Sequence, residues 1–429
     1  MRKKKLIINS IFGVGLVFIN ILTTFVVRMF FVRILGYELL GLNALLSTII
    51  ATICVVELGI GGAIVFSLYK PIAENDLEKQ AALIRLYRKL YFIIAGIILI
   101  IGILMIPLLS AITQNTFSLL EILPLYAILL GSSAFSYLFS FNHTILSADQ
   151  KNYVINIFSG TFRLLTSIAQ VTILILTANL FLFLVIGFIS MISMNILLWQ
   201  YVRKKYPHIK NAHYTLEKKE LKEIKTKIMA LLYHRIGNFF MGAIDNIVIS
   251  VVFGVIIVGY FSNYLMITQN IGLLFAGFFT GVTASLGNIV ATEKREYTMQ
   301  AVKNIRFLSF SLYSIAVTGI FVLSTQFLTL WLNSETVLPM HFVIILCLNL
   351  FIIGYSEAYG NVRFAAGIFE PDKYLHLIFP VINLGLSFVL AFWLGIGPTG
   401  VLLATTACLL VKNVLVLPHI CHKYVIGGS

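Results

Sequence analysis

Charge is scarce in this sequence. Only 11% of its 429 residues are Asp, Glu, Lys or Arg, against 59% apolar, and the mean hydropathy is +0.97. Soluble domains carry about 25% charged residues, so a soluble fold is excluded and no soluble domain of any size fits between the apolar runs. Cysteine is scarce too. Cys54, Cys347, Cys408 and Cys421 are dispersed, three of them inside apolar runs. That excludes a disulfide framework or a zinc site and leaves small buried hydrophobes. There is no nucleophile elbow, no metal-type His/Cys spacing and no glycine loop before a soluble helix, so no enzyme activity or cofactor is expected. The histidines are scattered, with no ligand pair on one helix face within a span. The run LGIGGA, Leu58 to Ala63, resembles a phosphate loop only loosely; inside a span, small residues serve close helix packing. The first apolar run is too long for a cleaved signal peptide and lacks a small-residue cleavage site.

What is present is length in hydrocarbon. About twelve apolar runs of roughly 20 residues or more cover approximately 6–34, 39–69, 91–113, 119–147, 153–177, 179–202, 229–253, 255–291, 304–332, 337–363, 374–394 and 399–420. Several exceed what a bilayer requires, which implies tilt or extension beyond it. The net charge of +14 collects on alternate connections. One set holds Arg2 to Lys5, then Lys70, Lys79, Arg85, Arg88 and Lys89, then Lys151 and the run Arg203 to Lys227. It continues with Lys294, Arg295, Lys303 and Arg306, and ends with Lys373 and Lys423. The connections near 114–118, 178, 254–258, 333–338 and 395–399 hold no Lys or Arg, and only Arg33 lies near that face. By the positive-inside rule both termini are cytoplasmic. Basic residues placed this way serve topology, and no nucleic-acid partner is expected.

The segment from Arg203 to Ile228 divides the chain, with nine Lys/Arg against three Glu. Leu216, Leu221, Ile224 and Ile228 among those charges are compatible with an amphipathic helix on the inner leaflet or with a solvated linker. The expected organisation is residues 1–205 as one six-helix bundle, 206–228 as the linker and 229–429 as a second bundle. The halves repeat. A displacement of 218 residues, that from Gly36 to Gly254, also carries Gly41 onto Gly259, Gly59 onto Gly277, Glu78 onto Glu296, Arg85 onto Lys303 and Arg88 onto Arg306. Six spans separate the copies, so the repeats are parallel rather than inverted. The fold class is therefore an all-α polytopic membrane protein. Its two six-helix bundles are expected to be related by a parallel pseudo-twofold, with a central cleft between them.

The candidate functional residues are the charges inside spans. An arginine in hydrocarbon costs on the order of 2.5–3.5 kcal/mol even on the lenient scale, so it faces a partner or water. Arg28 lies in the outer half of the first span and Arg33 at its outer end, where it either snorkels or joins a polar lining. Arg163 is about ten residues, roughly 15 Å, into the fifth span. Asn246 is the repeat counterpart of Arg28. These four form the candidate substrate cavity, since a guanidinium fork fits phosphate oxygens. Glu57, Asp245 and Glu357 are candidates for charge pairing or for a coupling cation such as H+ or Na+.

The blocks ILGYELLGLNALL (from Ile34), VELGIGGAI (from Val56) and SLYKPIAENDLEKQAALIRLYRKLY (from Ser67) resemble bacterial polysaccharide transporters of the Wzx flippase type. So do VGYFSNYLMI (from Val258), SLGNIVATEKRE (from Ser285), FLTLWL (from Phe327), VRFAAGIFEPDKY (from Val362) and WLGIGPTGVLLATT (from Trp393). That family belongs to the multidrug/oligosaccharidyl-lipid/polysaccharide exporter superfamily. The resemblance implies a V-shaped pair of bundles in the bacterial cell membrane, with alternating access through a cationic cavity. It also implies movement of undecaprenyl-pyrophosphate-linked sugar repeat units from inner to outer leaflet, beside polymerase and glycosyltransferase partners. A drug or metabolite antiporter on the same fold is the first alternative, and would more often use an acidic cavity. A membrane glycosyltransferase or polymerase is the second, and usually needs a large outer loop; the outer connections here are only a few residues long.

Overall fold

A computed structural model describes residues 2–57, 60–210, 220–221, 240, 242–292, 295–332, 337–366, 368, 371 and 374–426. In hydrocarbon every backbone N–H and C=O must find its partner within the segment, and the described chain answers with helices. In order they are α1 (Arg2–Ile53), a 3-10 turn (Cys54–Glu57), α2 (Ile60–Ala73), α3 (Leu77–Ile112), α4 (Leu119–Ala148), α5 (Asn152–Thr177) and α6 (Leu180–Lys205). A 3-10 turn, Pro207–Lys210, follows. The second half has α7 (Gly242–Phe253), α8 (Val255–Thr292), α9 (Arg295–Leu332), α10 (Met340–Ala366), α11 (Leu375–Phe388), α12 (Pro398–Leu409) and α13 (Leu417–Cys421). π-helical turns at Val389–Trp393, Leu410–Val416 and His422–Ile426 extend or join the last three. Among the described residues nine helices are long and apolar enough to cross a membrane, and α7 is a shorter apolar one.

One of those nine holds two of the expected spans. α1 bends at Gly36, whose φ of 79° and ψ of −178° lie in a region open essentially to glycine alone. The second span is broken again at Cys54–Glu57 before α2 resumes. Polar caps mark the ends of helices that leave the hydrocarbon. Asp76 Oδ1 accepts from the Lys79 amide at 2.9 Å at the start of α3. Glu121 Oε2 accepts from the Ser118 amide at 2.8 Å and hydroxyl at 2.9 Å at the start of α4. Asn179 Oδ1 accepts from the Leu182 amide at 3.2 Å at the start of α6, just after Ala178 closes α5 in the left-handed region.

The chain divides into two compact units, Met1–Arg235 and Ile236–Ser429. Their internal anatomy repeats at the displacement expected from the glycines. Gly254 takes a φ of 88° just before α8, as Gly36 takes its own within α1. Leu77, which opens α3, is 218 residues before Arg295, which opens α9, and Leu180 of α6 stands in the same relation to Pro398 of α12. In the first unit α3 packs on α4, α4 on α6 and α5 on α6; in the second α9 packs on α10, α10 on α12 and α11 on α12. Gly277 lies within α8, while Gly59 is outside the described residues. The core of the first unit includes Leu42, Leu45, Leu46, Ile64 and Leu68. In the second, Leu286, Val302, Tyr359, Val362 and Leu417 form one cluster. Large side chains such as Phe92 (71% exposed) and Trp393 (84%) point outward, as bilayer-facing positions require.

Of residues 215–228, the part of the linker compatible with an inner-leaflet helix, only Glu220 and Leu221 are described, and the rest of that expectation lies outside the described residues. Glu220 pairs with Lys79 at the start of α3. Nearby, His208 Nε2 and Gln80 Oε1 are 3.2 Å apart, and partial burial lowers the His208 pKa. Lys151 donates to the Tyr206 hydroxyl at 2.9 Å, and that hydroxyl donates to Asp149 at 2.7 Å. Burial, then the Asp149 carboxylate, pushes the Tyr206 phenol well up. The basic end of the first unit is thus tied together by polar contacts.

Candidate functional site

In the first unit α1 and α5 run side by side in the same direction. The Phe12 and Tyr153 rings are 6.5 Å apart, Gly160 faces Leu16 and Ile19, and Arg163 reaches the next turn of α1. Its Nε donates to Thr23 Oγ1 at 3.1 Å and its Nη2 to Thr24 Oγ1 at 2.8 Å. Both acceptors are neutral, so these bonds orient the guanidinium without neutralising it, and they use two of its five donors. Arg28 is half-buried on the same helix, four residues beyond Thr24, or about 6 Å along the axis. The structure therefore brings Arg163 of α5 to the level just below Arg28 of α1. Arg33 is exposed near the bend at Gly36. The T-shaped pair Phe31–Phe183, with centroids 5.3 Å apart, fixes that end of α1 to the start of α6.

Glu57 occupies the break before α2. The Tyr91 hydroxyl donates to its Oε1, and the Tyr91 ring lies 4.1 Å from that of Tyr87 and 5.6 Å from that of Tyr137. Tyr87 also bonds Thr144, and Tyr137 bonds Cys54. A Cβ on Gly61 would come within 3.3 Å of Glu57, Tyr87 and Tyr91 together. The broken second span thus carries a carboxylate into a tyrosine cluster supplied by α3 and α4. Sequence reading singled out Glu57 and missed the tyrosines. The available signal was Tyr87 and Tyr91 at i, i+4, on one helix face.

In the second unit Asp245 on α7 is 6% exposed. It accepts from the Thr405 hydroxyl of α12 at 2.9 Å and from the Asn383 amide of α11 at 3.5 Å. Thr405 also reaches Asn383 Oδ1 at 3.3 Å. Both partners of the carboxylate are neutral. Ser387, fully buried one turn on from Asn383, has no hydrogen-bond partner for its hydroxyl among the described residues. A second polar seam runs beside it, where Thr406 donates to Asn349 Oδ1 at 2.7 Å. Asn246 is half-buried next to Asp245. Glu357 on α10 is not part of this set; it accepts from Asn361 one turn away at 3.4 Å. Two neutral partners, a hydroxyl and a side-chain amide, around a carboxylate make a set that can hold a proton or a small monovalent cation. Among the described residues no group of three or more His, Cys, Asp or Glu is placed to hold a metal ion.

No protein-family model matches the chain, and no curated protein matches it in sequence. Solved structures do match. An inward-facing multidrug resistance MATE family transporter of the MOP superfamily superposes with a TM-score of 0.76 at 15% identity, over 96% of this chain and 97% of that one. The lipid II flippase MurJ, in an inward closed conformation, matches with a TM-score of 0.70 at 16% identity, over 96% of this chain and 87% of its own. A MOP superfamily transporter from Pyrococcus furiosus, described as having a binding pocket of reversed polarity, gives 0.65 at 16% identity, over 96% and 94%. At such identities the likeness establishes the fold. This all-α polytopic membrane chain has the fold shared by the MATE transporter and the lipid II flippase MurJ.

Proposed function

We propose that the protein is a flippase. It carries undecaprenyl-pyrophosphate-linked oligosaccharide repeat units from the inner to the outer leaflet of a bacterial cell membrane, for capsule or another surface polysaccharide, by alternating access. The observation that carries this reading is Arg163, held at mid-span by the neutral hydroxyls of Thr23 and Thr24 one turn from Arg28. A guanidinium positioned by neutral acceptors keeps its charge for an anion, and its planar fork suits phosphate oxygens. Arg33 is the further candidate for the substrate path in the first unit, and Asn246 the candidate in the second. The likeness to a lipid II flippase supports a lipid-linked substrate. Asp245, with Asn383 and Thr405, holds the coupling cation or proton, while Glu57 and Glu357 serve charge balance within their own helices' surroundings. No covalent chemistry is involved; the polymerase and glycosyltransferases act before and after transfer, and both termini lie in the cytoplasm.

The likeness to a multidrug MATE transporter favours a second reading, antiport of organic cations. Proteoliposomes containing a fluorescent pyrophosphate-linked oligosaccharide distinguish them. Flipping is expected with the parent protein, a loss of about tenfold or more with Arg163→Ala, since a charge-assisted bond contributes roughly 1.5–3 kcal/mol, and partial activity with Arg163→Lys. Absence of flipping together with exchange of an organic cation in the same vesicles would sink the flippase reading.

A further inference from the structure

A pocket of about 310 Å³ opens between α9 and α10, lined by Lys303, Arg306, Phe307, Phe310 and Tyr355. The transport reading makes no use of it. Arg306 is seated on aromatic rings, with its guanidinium 5.4 Å from the Tyr355 centroid and 5.0 Å from that of Tyr359. Its Nη2 donates to the Tyr355 hydroxyl at 3.4 Å. Rings attract a cation through their faces without cancelling its charge. Lys303 is exposed one turn earlier on the same face of α9, and among the described residues no acid lines the pocket. Two cations are therefore presented together, beside Phe307 and Phe310, which are 75% and 50% exposed.

Depth decides what can meet them. α9 ends at Leu332, preceded by the tilted ring pair Phe327–Trp331 with centroids 5.3 Å apart, the kind of aromatic pair that sits at a membrane interface. A span takes about 20 residues, which counts back from Leu332 to roughly residue 312. Lys303, Arg306 and Phe307 then stand at headgroup level on the cation-rich face, and Phe310 beside the start of the acyl chains. The first unit carries the same pattern 218 residues earlier. Arg88 lies 5.8 Å from the Phe141 ring, Arg85 is exposed one turn before it, and Phe92 is 71% exposed. A cation over an aromatic, with a phenylalanine facing lipid beyond it, thus recurs in both copies.

We propose that the α9–α10 pocket binds the phosphate diester headgroup of an anionic phospholipid. Lys303 and Arg306 grip the phosphate oxygens, and Phe310 lies along the start of the acyl chains, below Phe307. The two exposed phenylalanines are what select a lipid over a soluble anion: free phosphate would satisfy the cations and leave that apolar surface uncovered.

The test uses the full chain in neutral phosphatidylcholine nanodiscs, doped with a phosphatidylglycerol probe that carries a photoreactive group on its acyl chain. Labelling is expected on the peptide containing Phe307 and Phe310, displaced by unlabelled phosphatidylglycerol but not by phosphatidylcholine or inorganic phosphate. A cation near an anionic lipid surface contributes about a fivefold preference. Lys303→Gln should then lower labelling about fivefold, and Lys303→Gln with Arg306→Gln about 25-fold. Lys303 is exposed, so its single variant remains informative if the double variant elutes as misfolded protein. Equal labelling by a phosphatidylcholine probe, or unchanged labelling in well-folded variants, overturns the proposal. So does displacement by inorganic phosphate, which would mean a bare anion site. Displacement by the pyrophosphate-linked oligosaccharide but not by phosphatidylglycerol would also overturn it, by making the pocket a substrate site. None of these readouts depends on flipping activity.

Discussion

Replacing Asp245 by asparagine separates the two roles open to this buried carboxylate. The side chain is 6% exposed and accepts only from Thr405 at 2.9 Å and Asn383 at 3.5 Å among the hydrogen bonds described. Asparagine keeps the shape and one acceptor oxygen and removes the charge. Two neutral hydrogen bonds offset little of a carboxylate's desolvation, so Asp245→Asn should fold as stably as the parent, or more stably by about 1 kcal/mol. Asp245→Ala instead leaves two buried donors to re-partner. Thr405 can turn to Asn383 Oδ1, already 3.3 Å away, which limits the loss to about 1–3 kcal/mol. If the site binds a coupling cation, the parent gains stability as that cation is added, about 1.4 kcal/mol at tenfold excess over Kd. Neither variant should show that gain, and neither should couple transport to the gradient. The assay is thermal unfolding in detergent with Na+ or K+ across a pH series, followed by gradient-driven transport in vesicles. An Asp245→Asn protein that keeps the parent's ion response and coupling refutes the reasoning and makes the residue structural.

The repeat makes a paired claim about Gly36 and Gly254, whose φ values are 79° and 88°. Alanine at either should cost about 1–2 kcal/mol of stability, and a Gly36→Ala midpoint equal to the parent's would contradict the bend. Gly354 is a matter of space: a Cβ there would lie 2.1 Å from Tyr313 Cγ. Gly354→Ala should therefore destabilise the α9–α10 contact by about 1–3 kcal/mol, with part recovered by Tyr313→Leu; no change in melting temperature would show that Tyr313 moves freely. His208 has a lowered pKa through burial, so the unfolded segment takes up a proton more readily than the docked one. Its contribution is full above the ordinary histidine pKa of about 6.5 and is lost as pH falls below that. Proteolysis at the Pro207–Lys210 turn should accelerate below pH 6.5, and His208→Gln should flatten the profile; a pH-independent rate in the parent protein counts against the contact.

Composition and spacing alone determined that the chain lies in a membrane and that its spans are helices, but not that the first two runs join in α1 or that the second breaks at Cys54–Glu57. Hydrocarbon permits one local solution for an apolar run of that length, so no tertiary information is needed to find it. The glycine displacement was legible for a related reason. A backbone that must turn between two spans demands glycine at that point, and the demand recurs at Gly36 and Gly254. The charged residues inside spans were legible as exceptions to an apolar rule. Their partners were not. Arg163 meets Thr23 and Thr24 across 140 and 139 residues. Asp245 meets Asn383 and Thr405 across 138 and 160. A threonine or asparagine in an apolar run is unremarkable by composition, since its hydroxyl or amide can bond back to its own helix. Whether it instead turns to a charge on another helix depends on the rotation and depth of both helices, and those are fixed by packing. Tertiary structure thus decided which polar groups form sites, because a hydrogen bond in lipid needs its partner within about 3 Å and sequence order carries no such distance.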